Sequence, residues 1–268
     1  MVVLLKIGGS LITDKKQEKF YRADVMKRIA SEVRQALDEK PDLKLVIGHG
    51  SGSFGHFVAK RHNTIQGVRT PEEWCGFAEV AQVAAELNAH VSQAFWDVGV
   101  PVWRLQPSAS AIAHDGVVRH MALQPIQVAL EHGLVPLVYG DVALDEVRGG
   151  TILSTETIFT YLAEQLDIER IVLLGEVDGV YDETGMIVDM ITPERFEAMK
   201  SVFQGASGVD VTGGMMEKVR LMLRLSRDFS LTTRIVNGLT PKLVYEALID
   251  STATGTLICA SANYPPTN

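Results

Sequence analysis

The chain has 268 residues, and 46% of them are hydrophobic, which is enough to build one large core. Lys and Arg total 25 against 33 Asp and Glu, so the formal charge is -8 at pH 7, and an extended basic surface for nucleic acid is excluded. We therefore expect one domain and no nucleic-acid partner.

The sequence shows no sign of a disulfide or a membrane segment. Cys75 and Cys259 are far apart and form no C-x-x-C motif, so two reduced thiols are expected. No apolar stretch reaches about 18 residues, and residues 1–7 lack the basic and apolar regions of a signal peptide. We expect a soluble, cytoplasmic protein without a membrane partner.

Apolar runs that suit buried strands alternate with segments of helical periodicity along the chain. The predicted strands are residues 2–7, 44–47, 100–105, 134–139, 170–174, 233–236 and 256–259, with a hairpin over 142–153. The predicted helices are residues 23–37, 71–98, 123–132, 154–166 and 214–227, and Thr-Pro pairs at 192–193 and 240–241 start two more. The pattern predicts an α/β fold: a three-layer αβα sandwich with a mainly parallel central sheet, in one domain over residues 1–268.

An octapeptide, residues 49–56, directly follows the second predicted strand. Gly50, Gly52 and Gly55 allow backbone N–H groups to turn toward one anion, and the flanking histidines add donors whose charge changes near neutral pH. The same glycines fit the G-x-G-x-x-G fingerprint of dinucleotide folds, which requires a second strand ending in an acidic residue about 20 positions on. Residues 70–73 indicate a helix start instead. A phosphate-binding loop is favoured, with a dinucleotide site or a purely structural turn as alternatives.

Three lysines lie where a bound anion would explain them. Lys6 interrupts an apolar strand just before residues 8–10, and a lysine in a buried strand costs desolvation energy unless an anion neutralises it. Lys218 lies about one turn into a helix that follows the glycine pair 213–214, where a cation opposes the helix dipole unless it binds an anion. Lys15 lies in a polar loop, where a solvated charge is an equally good explanation.

Acidic side chains also follow predicted strands. Asp141 comes after one strand and Asp178 lies in a turn-rich loop after another, at the edge where parallel sheets hold ligands. Several anion-binding junctions in one chain suggest two phosphorylated ligands, and hence phosphoryl transfer. The chain has no P-loop and no protein-kinase motifs, so ATP would be bound in another way.

Taken in order, these motifs resemble the amino acid kinase superfamily. The matching segments are Lys6-Ile7-Gly8-Gly9-Ser10, the loop 49–56, Tyr139-Gly140-Asp141, Val177-Asp178-Gly179-Val180-Tyr181 and Asp210-Val211-Thr212-Gly213-Gly214 with Lys218. Within the superfamily, Ser53-Phe54-Gly55-His56 and the segment from Lys6 to Lys15 are similar to the isopentenyl phosphate kinase family. The resemblance covers essentially the whole chain.

The resemblance implies an activity and its partners. The γ-phosphate of ATP would pass to isopentenyl phosphate and give the diphosphate, in isoprenoid biosynthesis, with Mg²⁺ accompanying ATP. The acceptor would bind to the half over about residues 1–150 and the nucleotide to the half over about 151–268. A homodimer is expected from the family.

The resemblance also implies roles for individual residues. The catalytic set is Lys6, Lys15 and His56. The ATP-binding set is Lys6, Gly8, Gly9, Ser10, Ser51, Asp178, Gly213, Gly214 and Lys218. The set that binds the acceptor phosphate is Gly50, Gly55, His56 and Thr155. No protein ligand to a metal is predicted, since Mg²⁺ is held largely by phosphates and water.

Two further expectations come from the chemistry of the residues themselves. Asp141 is expected to orient the lysines from the end of its strand. Trp74, Phe77 and Ala81 lie on the apolar face of the long helix, and we expect them to bind the isoprenoid tail, which offers only methyl and methylene surface.

The chain departs from the family pattern at two places. Ser51 replaces the middle one of three glycines, and a serine does not adopt a positive φ easily. Residues 154–157 are Ser-Thr-Glu-Thr where Ser-Gly-Asp-Asp is expected, so Thr155 and Glu156 alter a stretch near the acceptor phosphate. Two other functions stay open: a kinase that acts on a phosphonate such as fosfomycin, and a non-catalytic protein that binds nucleotides or anions.

Overall fold

The computed structural model describes residues 1–203, 214–252 and 254–261. Its strands are β1 (Val2–Ile7), β2 (Leu45–His49), β3 (Val102–Arg104), β4 (Ile112–His114), β5 (Val117–His120), β6 (Val135–Tyr139), β7 (Asp141–Asp145), β8 (Gly149–Leu153), β9 (Ile168–Gly175), β10 (Met190–Ile191), β11 (Thr232–Asn237) and β12 (Thr256–Ile258). Its helices are α1 (Gly9–Ile12), α2 (Ala23–Glu39), α3 (Gly52–His62), α4 (Pro71–Trp96), α5 (Gln124–Glu131), α6 (Thr155–Gln165), α7 (Pro193–Phe203), α8 (Gly214–Phe229) and α9 (Leu243–Ile249). None of the helices in these ranges combines the length and apolar character that a membrane span needs.

The central sheet has the strand order β10-β12-β11-β9-β1-β2-β6-β3. Neighbouring strands are parallel except β11 and β12, which are antiparallel. At the end of β1, Ile7 pairs with His49 of β2 on one side and with Leu174 of β9 on the other. The carboxyl ends of these three strands therefore meet at one edge, where parallel sheets hold their ligands. The predicted mainly parallel sheet is confirmed.

Helices cover both faces of this sheet, and the side chains of β1 alternate between them. Leu4 belongs to a buried cluster that includes Phe159 of α6 and Met222 of α8. Leu5 belongs to a second buried cluster formed with α2, α4 and α9. The predicted three-layer αβα sandwich is confirmed. Lys6 has the same parity as Leu4, so its side chain goes to the face that carries α6 and α8.

A smaller sheet has the strand order β5-β4-β7-β8 and packs beside α4. Its β7 and β8 are antiparallel, with Asp145 opposite Gly149, which confirms the predicted hairpin. The sequence pattern predicts neither β4 nor β5 of this sheet, nor β10 of the central sheet, because each is only two to four residues long and short strands carry little periodicity.

The long helix α4 begins with a capping box, as the Thr-Pro-Glu-Glu segment predicts. The Thr70 hydroxyl accepts from the Glu73 N–H (3.2 Å), and the Glu73 carboxylate accepts from the Thr70 N–H (2.9 Å). The helix ends at Trp96, two residues before the predicted end.

The helix expected from the Thr-Pro pair 240–241 begins later, at Leu243. The carboxylate of Glu32 on α2 accepts from the N–H groups of Val244 (3.0 Å) and Tyr245 (3.3 Å). A carboxylate distant in sequence therefore satisfies first-turn amides for which a local threonine cap was expected.

Candidate active site

The carboxyl ends of β1 and β2 lead into two helices whose first residues touch. A Cβ built on Gly9, the first residue of α1, would lie 2.5 Å from the nitrogen of Gly52, the first residue of α3. Only glycine allows the two backbones to approach so closely. Thr13 joins them, because its hydroxyl donates to Gly9 O (2.8 Å) and accepts from the Ser53 N–H (2.9 Å). The backbone amides of both turns are thus held together in one cradle.

Ser51 fits the cradle without strain, which corrects the expectation for this departure from the glycine pattern. Its φ is -72°, and the positive φ of 50° falls on Gly52, a residue type that adopts it freely. The Ser51 side chain lies next to the Cα of Gly55, where a larger residue would collide with it. Ser51 and Gly55 are a matched pair one helical turn apart.

A cavity of about 750 Å³ adjoins the cradle, a size suited to a small molecule. Its lining includes the polar side chains of Ser10, Lys15 and His56 and the apolar side chains of Val80 and Ile152. The glycine loop contributes Gly50, Ser51, Gly52, Ser53 and Gly55. Cations, hydroxyl groups and backbone amides thus meet hydrocarbon surface in one cavity, which suits an anion with an apolar part.

Lys6 and Lys218, from opposite ends of the chain, converge on one carboxylate. Lys6 Nζ donates to Glu156 Oε1, and Lys218 Nζ lies 3.8 Å from the same oxygen. Burial lowers the pKa of Lys218, and the charges of Lys6 and Lys15 lower it further while Glu156 opposes them. Burial alone would raise the pKa of Glu156, but Lys6 and Lys218 hold it below its usual value. Lys6 and Lys218 thus share one carboxylate, and Lys15 adds a third positive charge close enough to affect Lys218, which leaves an excess of positive charge for an anionic ligand.

His49 corrects the expectation that both loop histidines titrate near neutral pH. Its ring is fully buried, and burial lowers its pKa to about 4. Nδ1 lies 3.1 Å from Gly50 O, Nε2 lies 2.9 Å from Asn88 Nδ2, and the ring stacks on Tyr139. His56, by contrast, is exposed on α3 and lines the cavity.

Asp141 and Thr155 lie beside the cradle, and both side chains form hydrogen bonds with backbone groups. The Asp141 carboxylate accepts from the Ser108 N–H (3.1 Å), and burial raises its pKa. Thr155 is 1% exposed, and its hydroxyl donates to His49 O (2.7 Å), so it supports the end of β2 from α6. The carboxylate that contacts Lys6 and Lys218 is Glu156, although the role of orienting the lysines was expected of Asp141.

The residues predicted to bind nucleotide lie at the ends of neighbouring strands. The Gly8 N–H donates to a carbonyl of β9 (2.9 Å), where β1 and β9 end side by side. Asp178, in the loop after β9, accepts from Asn237 Nδ2 (2.8 Å). Gly214 begins α8, whereas Gly213 lies outside the described residues.

Trp74, Phe77 and Ala81 lie on α4 but are not among the described residues that line the cavity. The rings of Trp74 and Phe77 pack edge to face with centroids 5.1 Å apart, and Phe77 fills the space beside Gly150. α4 reaches the cavity through Val80 instead, which helical spacing puts on the same face as Phe77.

Three residues of the site are not predicted from the sequence: Glu156 as the partner of the lysines, and Lys60 and Ile152 as residues that line the cavity. Lys60 follows His56 by four residues, so a helix over this segment would have put both on one face. The glycine-rich first turn hides that helix, because glycine is a poor helix former. Glu156 could have been found from two features of the sequence. It is an acidic residue in the first turn of a predicted helix, and Lys6 in a predicted buried strand needs an anionic partner.

A family comparison decides where the chain belongs. The model of the amino acid kinase family matches residues 1–237. The chain belongs to the amino acid kinase family. The resemblance that the motifs indicate is therefore confirmed, and it extends over both halves of the central sheet.

Within this family, the chain is similar to isopentenyl phosphate kinases. The chain is 34% identical to that of Methanothermobacter thermautotrophicus, over 96% of this chain and 98% of the relative. It is 30% identical to that of Methanocaldococcus jannaschii, over 93% and 95%. A solved structure of an isopentenyl phosphate kinase superposes with a TM-score of 0.81 at 31% identity, over 96% of this chain and 100% of that chain.

Proposed function

We propose that this member of the amino acid kinase family transfers the γ-phosphate of ATP to isopentenyl phosphate and forms isopentenyl diphosphate and ADP. The observation that carries the proposal is the cavity in which Lys15, His56 and the amides of the glycine loop meet apolar side chains such as Val80 and Ile152. A five-carbon phosphate ester offers the matching surfaces, a dianion joined to a hydrocarbon chain.

The acceptor needs no general base. A phosphate monoester has a second pKa of about 6, so it is largely a dianion and already a nucleophile near pH 7. The barrier is the repulsion between two polyanions, and fixed cations and N–H donors lower it. His56 with the backbone of Gly50 and Gly55 would hold the acceptor phosphate, while Lys6 and Lys15 would neutralise charge on the transferred group.

The nucleotide would lie along the ends of β1 and β9. Lys218 and the glycine pair 213–214 would hold its phosphates, and residues 8–10 and Ser51 would let these phosphates approach the cradle. Asp178 would lie at the nucleotide side of the same edge. The position of Lys218 3.8 Å from Glu156 Oε1 supports this, because the same carboxylate binds Lys6.

Glu156 would act as a positioning residue for the two lysines. Two ammonium groups repel each other, and a carboxylate between them offsets that repulsion and holds both in a defined place. Glu156 is largely buried, with a side-chain exposure of 17%, so water screens the interaction only weakly. This role replaces the one expected of Asp141.

The hydrocarbon chain of the acceptor would contact Val80 and Ile152. Phe77 and Trp74 of α4 would form the wall behind Val80 and Ile152. The small side chain of Ala81 would leave room for the hydrocarbon chain. The packing of Phe77 beside Gly150, in the strand that carries Ile152, supports this arrangement.

Mg²⁺ would reach the site with ATP, held by phosphate oxygens and water. The residues at the site do not fit a protein-bound cation, because Lys6 already pairs with the carboxylate of Glu156. In the described ranges, no three His, Cys, Asp or Glu side chains are grouped as a metal site. We therefore assign no step to a metal ligand of the protein.

The test is ADP release with isopentenyl phosphate, with fosfomycin and without an acceptor, with the product followed by ³¹P NMR. We expect rapid release and a diphosphate signal with isopentenyl phosphate alone. Turnover with fosfomycin only would favour the phosphonate kinase, and nucleotide binding without turnover would favour a non-catalytic role. A His56→Ala variant that folds but loses turnover is the matched control for the acceptor site.

The expected homodimer would form at the edge of the sheet that ends in β3. Trp103 on β3 and Trp96 at the end of α4 are 42% and 55% exposed, and large exposed aromatic side chains favour protein contacts. Light scattering would give twice the chain mass for the native protein and a single chain mass for Trp103→Glu. A monomeric native protein would overturn this part of the proposal.

A further inference from the structure

His49 lies at the junction of four elements but contributes no surface to the cavity. Its main-chain oxygen accepts from the Gly140 N–H (2.9 Å) and from the Thr155 hydroxyl (2.7 Å). Its ring lies against Tyr139 with centroids 5.6 Å apart and planes 10° from parallel. The ring nitrogens bind Gly50 and Asn88.

These contacts decide which ring nitrogen carries the proton. Gly50 O has no hydrogen to give, so Nδ1 at 3.1 Å must donate to it. In the neutral ring Nε2 is then an acceptor, and the amide nitrogen of Asn88 at 2.9 Å donates to it. Asn88 is 3% exposed and lies in the middle of α4. The tautomer is therefore set by two buried partners, one on each side of the ring.

The bond to Gly50 O also fixes the next peptide group. The peptide between residues 50 and 51 is trans, so its C=O and N–H point in opposite directions. With the carbonyl turned toward the buried ring, the Ser51 N–H is turned away from it. Ser51 lines the cavity, and among the described residues no acceptor binds its N–H.

We propose that His49 is a positioning residue, which with Asn88 holds the peptide 50–51 so that the Ser51 N–H faces the cavity and binds a phosphate oxygen of a substrate. The identity of that phosphate rests on the proposed function. An N–H group fixed in advance costs no reorganisation when the ligand arrives, and a hydrogen bond to a charged oxygen is worth more than one to a neutral oxygen.

Two substitutions of His49 separate positioning from simple packing. The amide nitrogen of asparagine reaches the place of Nδ1, so His49→Asn keeps the donor to Gly50 O. Glutamine reaches the place of Nε2, so His49→Gln keeps the contact with Asn88 and loses the donor. We expect His49→Gln to raise KM for ATP or isopentenyl phosphate by about tenfold, with a smaller change in kcat, since one charged hydrogen bond is lost. We expect His49→Asn to stay close to the native KM.

A packing role predicts the opposite order. Glutamine fills more of the histidine volume than asparagine does, so it would be the milder substitution if the ring only filled space. Equal KM values, or a lower KM for His49→Gln, would overturn the proposal. Thermal melting of both variants shows that each is folded. We expect Asn88→Leu, which removes the donor to Nε2, to raise the same KM. Ser92→Ala is its matched control, because Ser92 is a buried polar residue one turn further along α4.

Two measurements do not depend on turnover. Long-range ¹H–¹⁵N NMR of the native protein at neutral pH is expected to show a protonated Nδ1 and a bare Nε2 for His49, and the reverse tautomer would overturn the proposal. Calorimetric binding of a non-hydrolysable ATP analogue and of isopentenyl phosphate is expected to weaken in His49→Gln for at least one ligand. If the native protein binds these ligands but transfers no phosphate, the proposed function fails, and the calorimetric Kd values decide the role of His49: weaker binding in His49→Gln than in His49→Asn supports it, and equal or reversed Kd values overturn it.

Discussion

Glu156 is the carboxylate with which both Lys6 and Lys218 interact. It accepts from Lys6, lies 3.8 Å from Lys218 and has a lowered pKa despite its burial. A carboxylate in this place lets two buried ammonium groups coexist, because each of them would otherwise face the other in a medium of low polarity. In the proposed reaction, the lysines would then hold a phosphoryl group on which negative charge builds up during transfer.

Glu156→Gln should therefore slow catalysis. Glutamine keeps the shape but removes the charge, so the two lysines repel each other and move, and a misplacement of about 1 Å can cost about 100-fold. We expect kcat for isopentenyl phosphate to fall by about 10- to 100-fold. Glu164→Gln, an exposed position on the same helix, is the control and should keep the native kcat. An unchanged kcat in Glu156→Gln would remove the positioning role.

His49 should make stability depend on pH. Its folded pKa of about 4 lies below the value of about 6.5 expected in the unfolded chain, so the unfolded state binds the proton more readily. The neutral His49 ring therefore contributes fully to the free energy of unfolding above about pH 6.5. This contribution, about 3 kcal/mol in total, is lost as the pH falls toward 4. Urea unfolding of native protein and of His49→Asn, which cannot titrate, measures this term. Parallel stability curves for the two proteins between about pH 7 and pH 4.5 would contradict it.

The first turns of α1 and α3 act as one structural unit. Their backbones meet at Gly9 and Gly52, and Thr13 binds to both turns. The cradle exists only while the two turns stay in contact, since each supplies part of the amide donors. Ser51 and Gly55 also fit together closely, because the Ser51 side chain fills the space beside Gly55 that a Cβ would otherwise occupy.

Gly9→Ala should separate the two turns. The new Cβ would lie 2.5 Å from a backbone nitrogen that cannot move aside cheaply. We expect a loss of about 1–3 kcal/mol in the free energy of unfolding and a loss of most activity. Gly175→Ala is the matched control, because its Cβ would meet its nearest neighbour at 3.8 Å, an ordinary contact. Differential scanning calorimetry of both variants and an activity assay check the prediction, and a native-like Gly9→Ala would contradict it.

The two halves of the chain share one sheet. β1 pairs with β2 from the first half and with β9 from the second, so the halves proposed to bind the acceptor and the nucleotide are joined by hydrogen bonds through the strand that carries Lys6. The contacts of Glu156 with Lys6 and Lys218 cross the same boundary. A division into two independently folding halves would break the middle of the sheet.

We therefore expect a single cooperative unfolding transition. Far-UV circular dichroism and tryptophan fluorescence should give the same midpoint, because no surface between the halves can separate before the sheet does. A non-hydrolysable ATP analogue at about 100 times its Kd should raise the whole transition by about 2.7 kcal/mol. Two transitions, with only one of them shifted by the nucleotide, would contradict the single domain that the sequence predicts.

Much of this protein follows from local patterns. Apolar runs and helical spacing predict every strand of the central sheet except the two-residue β10, and the segment at Thr70 predicts the capping box of α4, because both depend on neighbours in the chain. The desolvation cost of a lysine in an apolar strand indicates that Lys6 needs an anionic partner. The motif order by itself indicates the amino acid kinase family.

Contacts between distant residues had to come from the folded chain. Glu156 rather than Asp141 binds Lys6, Glu32 rather than a local threonine caps α9, and Val80 rather than Trp74 lines the cavity. His49 and Asn88 likewise meet only through the packing of β2 on α4. Coulomb energy, desolvation and hydrogen bonding depend on distances in space, and those distances are set by how helices pack on the sheet rather than by the separation of residues along the chain.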